Sequence, residues 1–265
     1  MSSSATLDEA ARIIEEFAPP RLAEPWDNVG WQIRLAQRDL RGVLVALDAT
    51  PEVLGEAAAL GCNLVVTHHP LFFKPQQTLQ AGTLEGDTAI AAIRQGTSIF
   101  AAHTNLDSTR RGTSSALAEA LGLPDGTPLV PAQEDGCGLG LVVHCQAQRT
   151  LREWSRRVRE AIESPVLMVS GQHQERHERL AMMGGSGGSA VQAALEARAS
   201  LYIAADIGYH QAQIARAGGL SLLVIDHHAS ERPVLRRVQQ ILQRELSCPV
   251  SISTTRTTPW ETERP

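Results

Sequence analysis

CNLVVTHHP, residues 62–70, is the stretch from which the fold follows. A strand-length run centred on Leu64, Val65 and Val66 stops at two histidines, and Pro70 fixes the turn behind them. A strand that is apolar at every position is buried on both faces, as in a parallel sheet covered by helices. The neighbouring sequence repeats the rhythm. GVLVALD (42–48) is a second such run, followed by the helical stretch TPEVLGEAAALG. SIFAAHTNLD (98–107) is a third, reached through the loop PLFFKPQQTL and the helix DTAIAAIRQG. Strands of this length alternating with helices predict an α/β fold.

Further outward, Thr6 to Phe17 has helical spacing of apolar residues and is stopped by Pro19-Pro20; EPWDNVGW (24–31) reads as irregular. After the helix SSALAEALGL, the composition between Pro124 and Gly138 turns to Pro, Gly and acidic residues, which marks a crossing into a second lobe. There the sequence predicts strands LGLVVHC (139–145), PVLMVSG (165–171), RLAMMGG (179–185), SLYIAAD (200–206) and LSLLVIDHH (220–228). Helices intervene, QHQERHER (172–179) reads as a polar loop, and ERPVLRRVQQILQREL is a final helix. The expected division is an α/β lobe of residues 1–125 plus 220–265 and a second α/β lobe of residues 126–219.

Bulk properties narrow the function. The 265 residues suffice for one large domain or two small ones. Aromatics are only 4%, so the core is expected to be mostly Ala, Leu, Val and Ile. A net charge of −5 argues against a protein that wraps nucleic acid, which needs a basic face. The four cysteines form no CxxC pair and read as small buried hydrophobes in a reducing compartment. The N-terminus has neither a basic nor an apolar region of a secretory signal, and no apolar run is long enough to span a bilayer. A cytoplasmic protein is the expectation.

In open parallel α/β sheets, ligands bind beyond the carboxyl ends of the strands. The predicted strand ends carry Asp48; Thr67, His68 and His69; His103, with Asp107 just beyond; GGSGGS (184–189); Asp206, with His210 one helical turn on; and Asp226, His227 and His228, with Glu231 beyond. Asp48, before Ala-Thr-Pro, reads as a cap for the next helix. His144 and His173 read as ordinary residues. The pair His68-His69 points in two directions and can reach two metal ions. His227 and Glu231 are spaced i, i+4, which brings both to one site if a helix starts near His228. Asp107 adds a carboxylate able to bridge two cations. Three imidazoles and two carboxylates suit Zn, Fe, Mn, Co or Ni rather than a thiolate-selected metal. HQERH (173–177) has its Glu misplaced for an HExxH motif. GGSGGSA (184–190) reads as a tight strand–helix turn or a weak anion cradle, and Trp154 as helix-face core.

Taken in order, WDNVGW (26–31), LVALDATPEV (44–53), VVTHHPLFF (65–73), AAHTNLDS (101–108), MGGSGGSA (183–190), ADIGYHQA (205–212) and DHHASE (226–231) resemble the NIF-three-like, or YbgI, family, often labelled GTP cyclohydrolase I type 2 homologues. The resemblance implies two interlocked α/β lobes with mostly parallel or mixed sheets. It also implies a dinuclear centre holding two divalent transition-metal ions per chain on His68, His69, Asp107, His227 and Glu231. His103 and His210 fall where the family places site-lining histidines, and either could shuttle a proton. A homo-hexameric toroid, a trimer of dimers, is implied as well. AAD (204–206) departs from the commoner TGD, as do Trp31, Arg34 and the tail TTPWETERP from the family's usual residues. The expected function is a dinuclear-metal-dependent hydrolase acting on a small molecule, such as a nucleotide, with GTP cyclohydrolase-like purine ring opening as one form. The alternative is a non-catalytic metal-binding, storage or regulatory toroid. A ring that threads nucleic acid is disfavoured by the acidic charge.

Overall fold

The computed structural model describes residues 5–36, 39–164 and 167–260. Residues 165–166, where the strand expected over 165–171 begins, and residues 261–265 of the tail lie outside them. In chain order the elements are α1 (Leu7–Phe17), β1 (Gly30–Ile33), β2 (Val43–Ala46), α2 (Pro51–Ala59), β3 (Leu64–Thr67), α3 (Leu84–Gln95), β4 (Ser98–Ala101), α4 (Thr104–Ser108) and α5 (Thr113–Ala120). They continue with β5 (Val130–Pro131), β6 (Gly138–Leu139), β7 (Leu141–Thr150), α6 (Leu151–Ile162), β8 (Leu167–Ser170), β9 (Arg176–Ser186), α7 (Val191–Glu196), β10 (Leu201–Ala205), α8 (Tyr209–Ala217), β11 (Ser221–Ile225), α9 (His227–Glu245) and β12 (Val250–Ile252).

The chain divides into two compact units, Met1–Leu106 with Leu235–Thr257, and Asp107–Val234 with Thr258–Pro265. These crossings differ from the ones expected near 125 and 220, and pairing supplies the reason. Helix α5 packs on β9, and β11 hydrogen-bonds to β10 in parallel, so both segments go with the second sheet.

The first unit is built on a sheet of order β1-β4-β3-β2-β12. Strands β2, β3 and β4 are parallel and buried at every position, the burial that their uninterrupted apolar sequences require. Leu44, Val65 and Ile99 from these strands pack with Val53, Leu54 and Ala57 of α2 and Ala89 and Ala92 of α3. The helices start at Thr6, Thr50 and Thr83, whose side chains each accept a backbone N–H of the first turn. Thr50, not Asp48, is therefore the cap of α2, and the carboxylate of Asp48 is left for another use. Two edge strands escape a reading by apolar runs because their sequences, GWQI and VSI, mix polar and apolar residues. Overlapping the end of the stretch expected to be irregular, β1 pairs antiparallel with β4; β12, after the last helix, pairs parallel with β2.

The second unit has a sheet of order β7-β9-β10-β11-β8, parallel across β9-β10-β11 and antiparallel at both edges, with β5 and β6 as a small separate hairpin. Alternate residues serve opposite faces. Leu180, Met182, Leu201, Ile203, Leu223 and Ile225 pack with Leu151, Trp154 and Val158 of α6 and with Leu117 of α5. Ala181, Tyr202, Ala204, Leu222 and Val224 pack with Val191 and Ala194 of α7 and Ala215 of α8. Trp154 is thus core, as its helix-face position predicts. Strand β9 begins at Arg176 and buries His177 completely, so the segment 172–179 is a turn running into a strand rather than a polar loop. Pairing with Arg149 and Thr150 of β7 draws this polar stretch into the sheet.

Candidate metal centre

In the first unit, three histidines meet beyond the strand ends. His68 and His69 prolong β3, their N–H groups donating to Ala46 O (3.1 Å) and Leu47 O (2.8 Å). The Thr67 hydroxyl donates to His69 O (2.8 Å) and tightens the turn into Pro70. His103 follows β4 by two residues, and its ring centroid lies 5.2 Å from that of His68 and 5.5 Å from that of His69, which are themselves 4.9 Å apart. One ring nitrogen from each of the three lies within 4.8 Å of the others.

Each ring is held through Nδ1. His68 Nδ1 faces Ala102 O at 2.9 Å; a carbonyl only accepts, so that nitrogen carries the proton and Nε2 presents a lone pair. His69 Nδ1 faces Asp48 Oδ1 at 2.7 Å, and the Thr257 hydroxyl donates to the other carboxylate oxygen. His103 Nδ1 faces Asp27 Oδ1 at 2.9 Å, while Thr104 donates to Asp27 Oδ2 through both backbone and hydroxyl. Burial works against ionisation of Asp27. Hydrogen bonds from His103 and Thr104, with the charge of His103, outweigh it and hold the carboxyl well below the usual range.

In the second unit, α9 starts directly after β11. Asp226 caps it, its carboxylate accepting Ala229 N–H at 2.8 Å. The helix thus begins at His227, which puts Glu231 one turn on. His227 Nε2 and Glu231 Oε1 are 3.0 Å apart, and Glu231 is 3% exposed. His227 Nδ1 faces Asp206 Oδ2 at 2.6 Å. Asp206 reaches it from the left-handed backbone region, φ 51°, which Asp tolerates better than most residues. It does more than end a strand.

The glycine-rich turn serves this carboxylate. A Cβ on Gly185, which has φ +78°, would lie 2.2 Å from Glu231 Oε1, and one on Gly187 would lie 2.4 Å from the Tyr202 hydroxyl oxygen. The N–H groups of Gly184, Gly185 and Gly187 already donate to Ser114 Oγ, Ser230 Oγ and Ala205 O. Close packing replaces the anion-cradle reading of residues 184–190.

Asp107 is half-buried on α4, four residues after His103. His210 lies exposed in the first turn of α8 with Nδ1 3.4 Å from Gln213 Oε1. Within the first unit, His68, His69 and His103 can hold a metal ion; within the second, His227 and Glu231 form a matched pair. The donors are imidazole nitrogens and carboxylate oxygens, a set that fits borderline divalent transition metals. The four cysteines are buried elsewhere in the chain. Three residues with a part in the site were not singled out for it in the sequence: Asp27, Asp48 and Asp206. Their one signal is position, since Asp48 and Asp206 end apolar strands and Asp27 sits between tryptophans.

The sequence profile of the DUF34/NIF3 (NGG1p interacting factor 3) family matches residues 5–259. A Clostridium perfringens protein named GTP cyclohydrolase 1 type 2 homolog is 33% identical over 245 residues, covering 92% of this chain and 94% of its own. A Nostoc protein of the same name is 38% identical over 233 residues, covering 86% and 88%. Among solved structures, a Bacillus cereus protein related to NIF3 superposes with a TM-score of 0.92 at 23% identity, covering 98% of this chain and 99% of its own. Staphylococcus aureus protein SA1388 superposes with a TM-score of 0.90 at 25% identity and the same coverage.

Proposed function

Because the chain belongs to the DUF34/NIF3 family, we propose that it is a metal-dependent hydrolase whose two divalent ions are held by His68, His69, Asp107, His227 and Glu231. The observation that carries this reading is the anchoring of three of those imidazoles through Nδ1, on Ala102 O, Asp48 and Asp206. Histidines held in this way have their orientation fixed and their other nitrogen made a better donor. A pair of such ions supplies an acidified water and an electrophile for the oxygen on which negative charge develops.

The chain's own residues do the rest. With Nδ1 committed to Asp27, His103 accepts and returns a proton at Nε2. His210, at the start of α8, is the second group proposed for proton transfer. The shared name of the relatives makes GTP the first substrate to test, with hydrolytic opening of its purine ring as the reaction. The working form is proposed to be a homo-hexamer, a trimer of dimers, in the cytoplasm. No helix among the described residues is long and apolar enough to cross a membrane.

Purified protein is expected to carry about two transition-metal equivalents per chain, and the loaded protein to release formate from GTP. Asp107→Asn should abolish that release. A chain that takes up no metal on reconstitution overturns the proposal. Metal retained with no turnover of GTP or of a metabolite library favours the non-catalytic reading, a metal store or regulator.

A further inference from the structure

Two large aromatic side chains stand in solvent beside the histidine cluster of the first unit. Trp26 is 61% exposed and Phe73 is 52% exposed. Both meet His103 edge-on, with ring centroids 6.0 Å and 5.6 Å from the imidazole and interplanar angles of 74° and 88°. In a chain with only 4% aromatic residues, leaving two of them uncovered at one site runs against the hydrophobic effect and marks a surface meant to be covered.

The segments that carry the two rings are also tied together. Asn28 Nδ2 donates to Phe72 O (2.7 Å), Gln32 Oε1 accepts Phe72 N–H (3.1 Å), and Gln32 Nε2 donates to Asn28 O (2.8 Å). This polar staple ties the segment carrying Trp26 to the loop carrying Phe73. It is independent of the metal donors, and it prepays the ordering that binding would otherwise cost. The residue after Phe73 is Lys74, which is exposed and is the single lysine of the chain; the other 23 of its 24 basic Lys and Arg residues are arginines. A compact ammonium on a flexible stem suits a mobile anionic group, a task for which arginine is not an equivalent.

We infer that Trp26 and Phe73 form a stacking site for a planar heteroaromatic ring presented to His103, and that Lys74 meets an anionic substituent on the same molecule. The ligand class is therefore a phosphorylated heterocycle such as a nucleotide. The inference deepens the proposed function and rests on it for the reaction, but the stacking site stands on its own contacts.

The test is quenching of tryptophan fluorescence by GTP, guanosine and ribose 5-phosphate, using metal-loaded wild type and the Trp26→Leu, Phe73→Leu and Lys74→Met variants. Trp31, Trp154 and Trp260 remain as reporters in Trp26→Leu, and calorimetric titration gives the affinity without a fluorophore. Stacking on an aromatic side chain accounts for roughly tenfold or more in affinity per base. GTP and guanosine should each weaken by about that factor in both aromatic variants, with melting temperature and metal content unchanged. Lys74→Met should weaken GTP and leave guanosine unaltered. Unchanged guanosine affinity in both aromatic variants, or a wild type that binds neither GTP nor guanosine, overturns the inference. If the variants still hydrolyse substrate with wild-type KM, the stacking site falls and the metal-hydrolase reading stands. If no metal is taken up yet guanosine binding still depends on Trp26, the reverse holds.

Discussion

His69 and His227 are each aimed by a carboxylate on Nδ1, but the two carboxylates differ in setting. Asp48 is 33% exposed in its side chain and is also held by Thr257; Asp206 is 55% exposed and projects from a left-handed backbone. Asp48→Asn is expected to lower metal affinity about tenfold or more, the usual cost of losing a ligand's hydrogen-bond partner. Asp206→Asn should cost less, because solvent already screens that carboxylate and Asn keeps the φ of 51°. Metal competition with a chromogenic chelator reads both. Gly185→Ala tests the packing around Glu231. A methyl group 2.2 Å from Oε1 has to displace that carboxylate. About 1–2 kcal/mol of stability is expected to go, from the positive φ alone. Metal retention should fall further than stability does. Chemical denaturation and metal analysis of the same preparation separate the two effects.

At the scale of elements, the carboxyl ends of β3, β4, β10 and β11 deliver the candidate site residues, and a short polar contact sets where α9 begins. Asp226 starts α9 at His227, one turn earlier than the sequence ERPVLRR suggests, and leaves Pro233 inside the helix. The strand β12 is secured through its continuation. Ser253, Thr254 and Thr255 all donate to Glu56 of α2. Burial raises the Glu56 carboxyl, but these hydrogen bonds outweigh it and bring it from 4.5 down to about 2. A folded-state value below the unfolded one means the contribution is fully present above pH 4.5 and is lost as pH falls through about 2. Glu56→Gln should therefore cost about 1–2 kcal/mol at neutral pH, allowing for the partial exposure of the group. The gap from wild type should close between pH 4.5 and 2. Urea titrations across that range read it directly; a gap that persists at the acid end would remove Glu56 ionisation as the cause.

For the whole molecule, metal binding is expected to be linked to folding. Ions that bind only the native chain stabilise it by about 3 kcal/mol at a hundredfold excess over Kd, a rise in Tm of roughly 5–10 °C for a chain of this size. Exhaustive chelation should reverse that rise and readdition of metal should restore it, as differential scanning calorimetry would show. An unchanged Tm would mean that the ligands are not drawn on in the native state. The family assignment sets the fold at this scale, with likeness extending over nearly the whole of the chain and of the Clostridium perfringens and Bacillus cereus proteins.

Much of this was legible in the residues. Uninterrupted apolar runs such as LVVT and SLLVI dictate buried parallel strands, and strand polarity then dictates that His68, His69, His103 and His227 fall at carboxyl ends. The i, i+4 spacing of His227 and Glu231 carried their pairing, because helix geometry is local. The edge strands β1 (GWQI) and β12 (VSI) were not legible, since neither is an apolar run and their pairing partners lie far away in sequence. Nor were the roles of Asp27, Asp48 and Asp206. A carboxylate after a strand looks the same whether it caps a helix or orients an imidazole, and Asp27 meets His103 across 76 residues of chain. What the sequence by itself determined is a set of candidate donor residues and the elements that carry them. Which nitrogen of each histidine is hydrogen-bonded, and which aromatic rings meet His103, only the tertiary structure decided, because both depend on contacts between segments whose chain separation hides them.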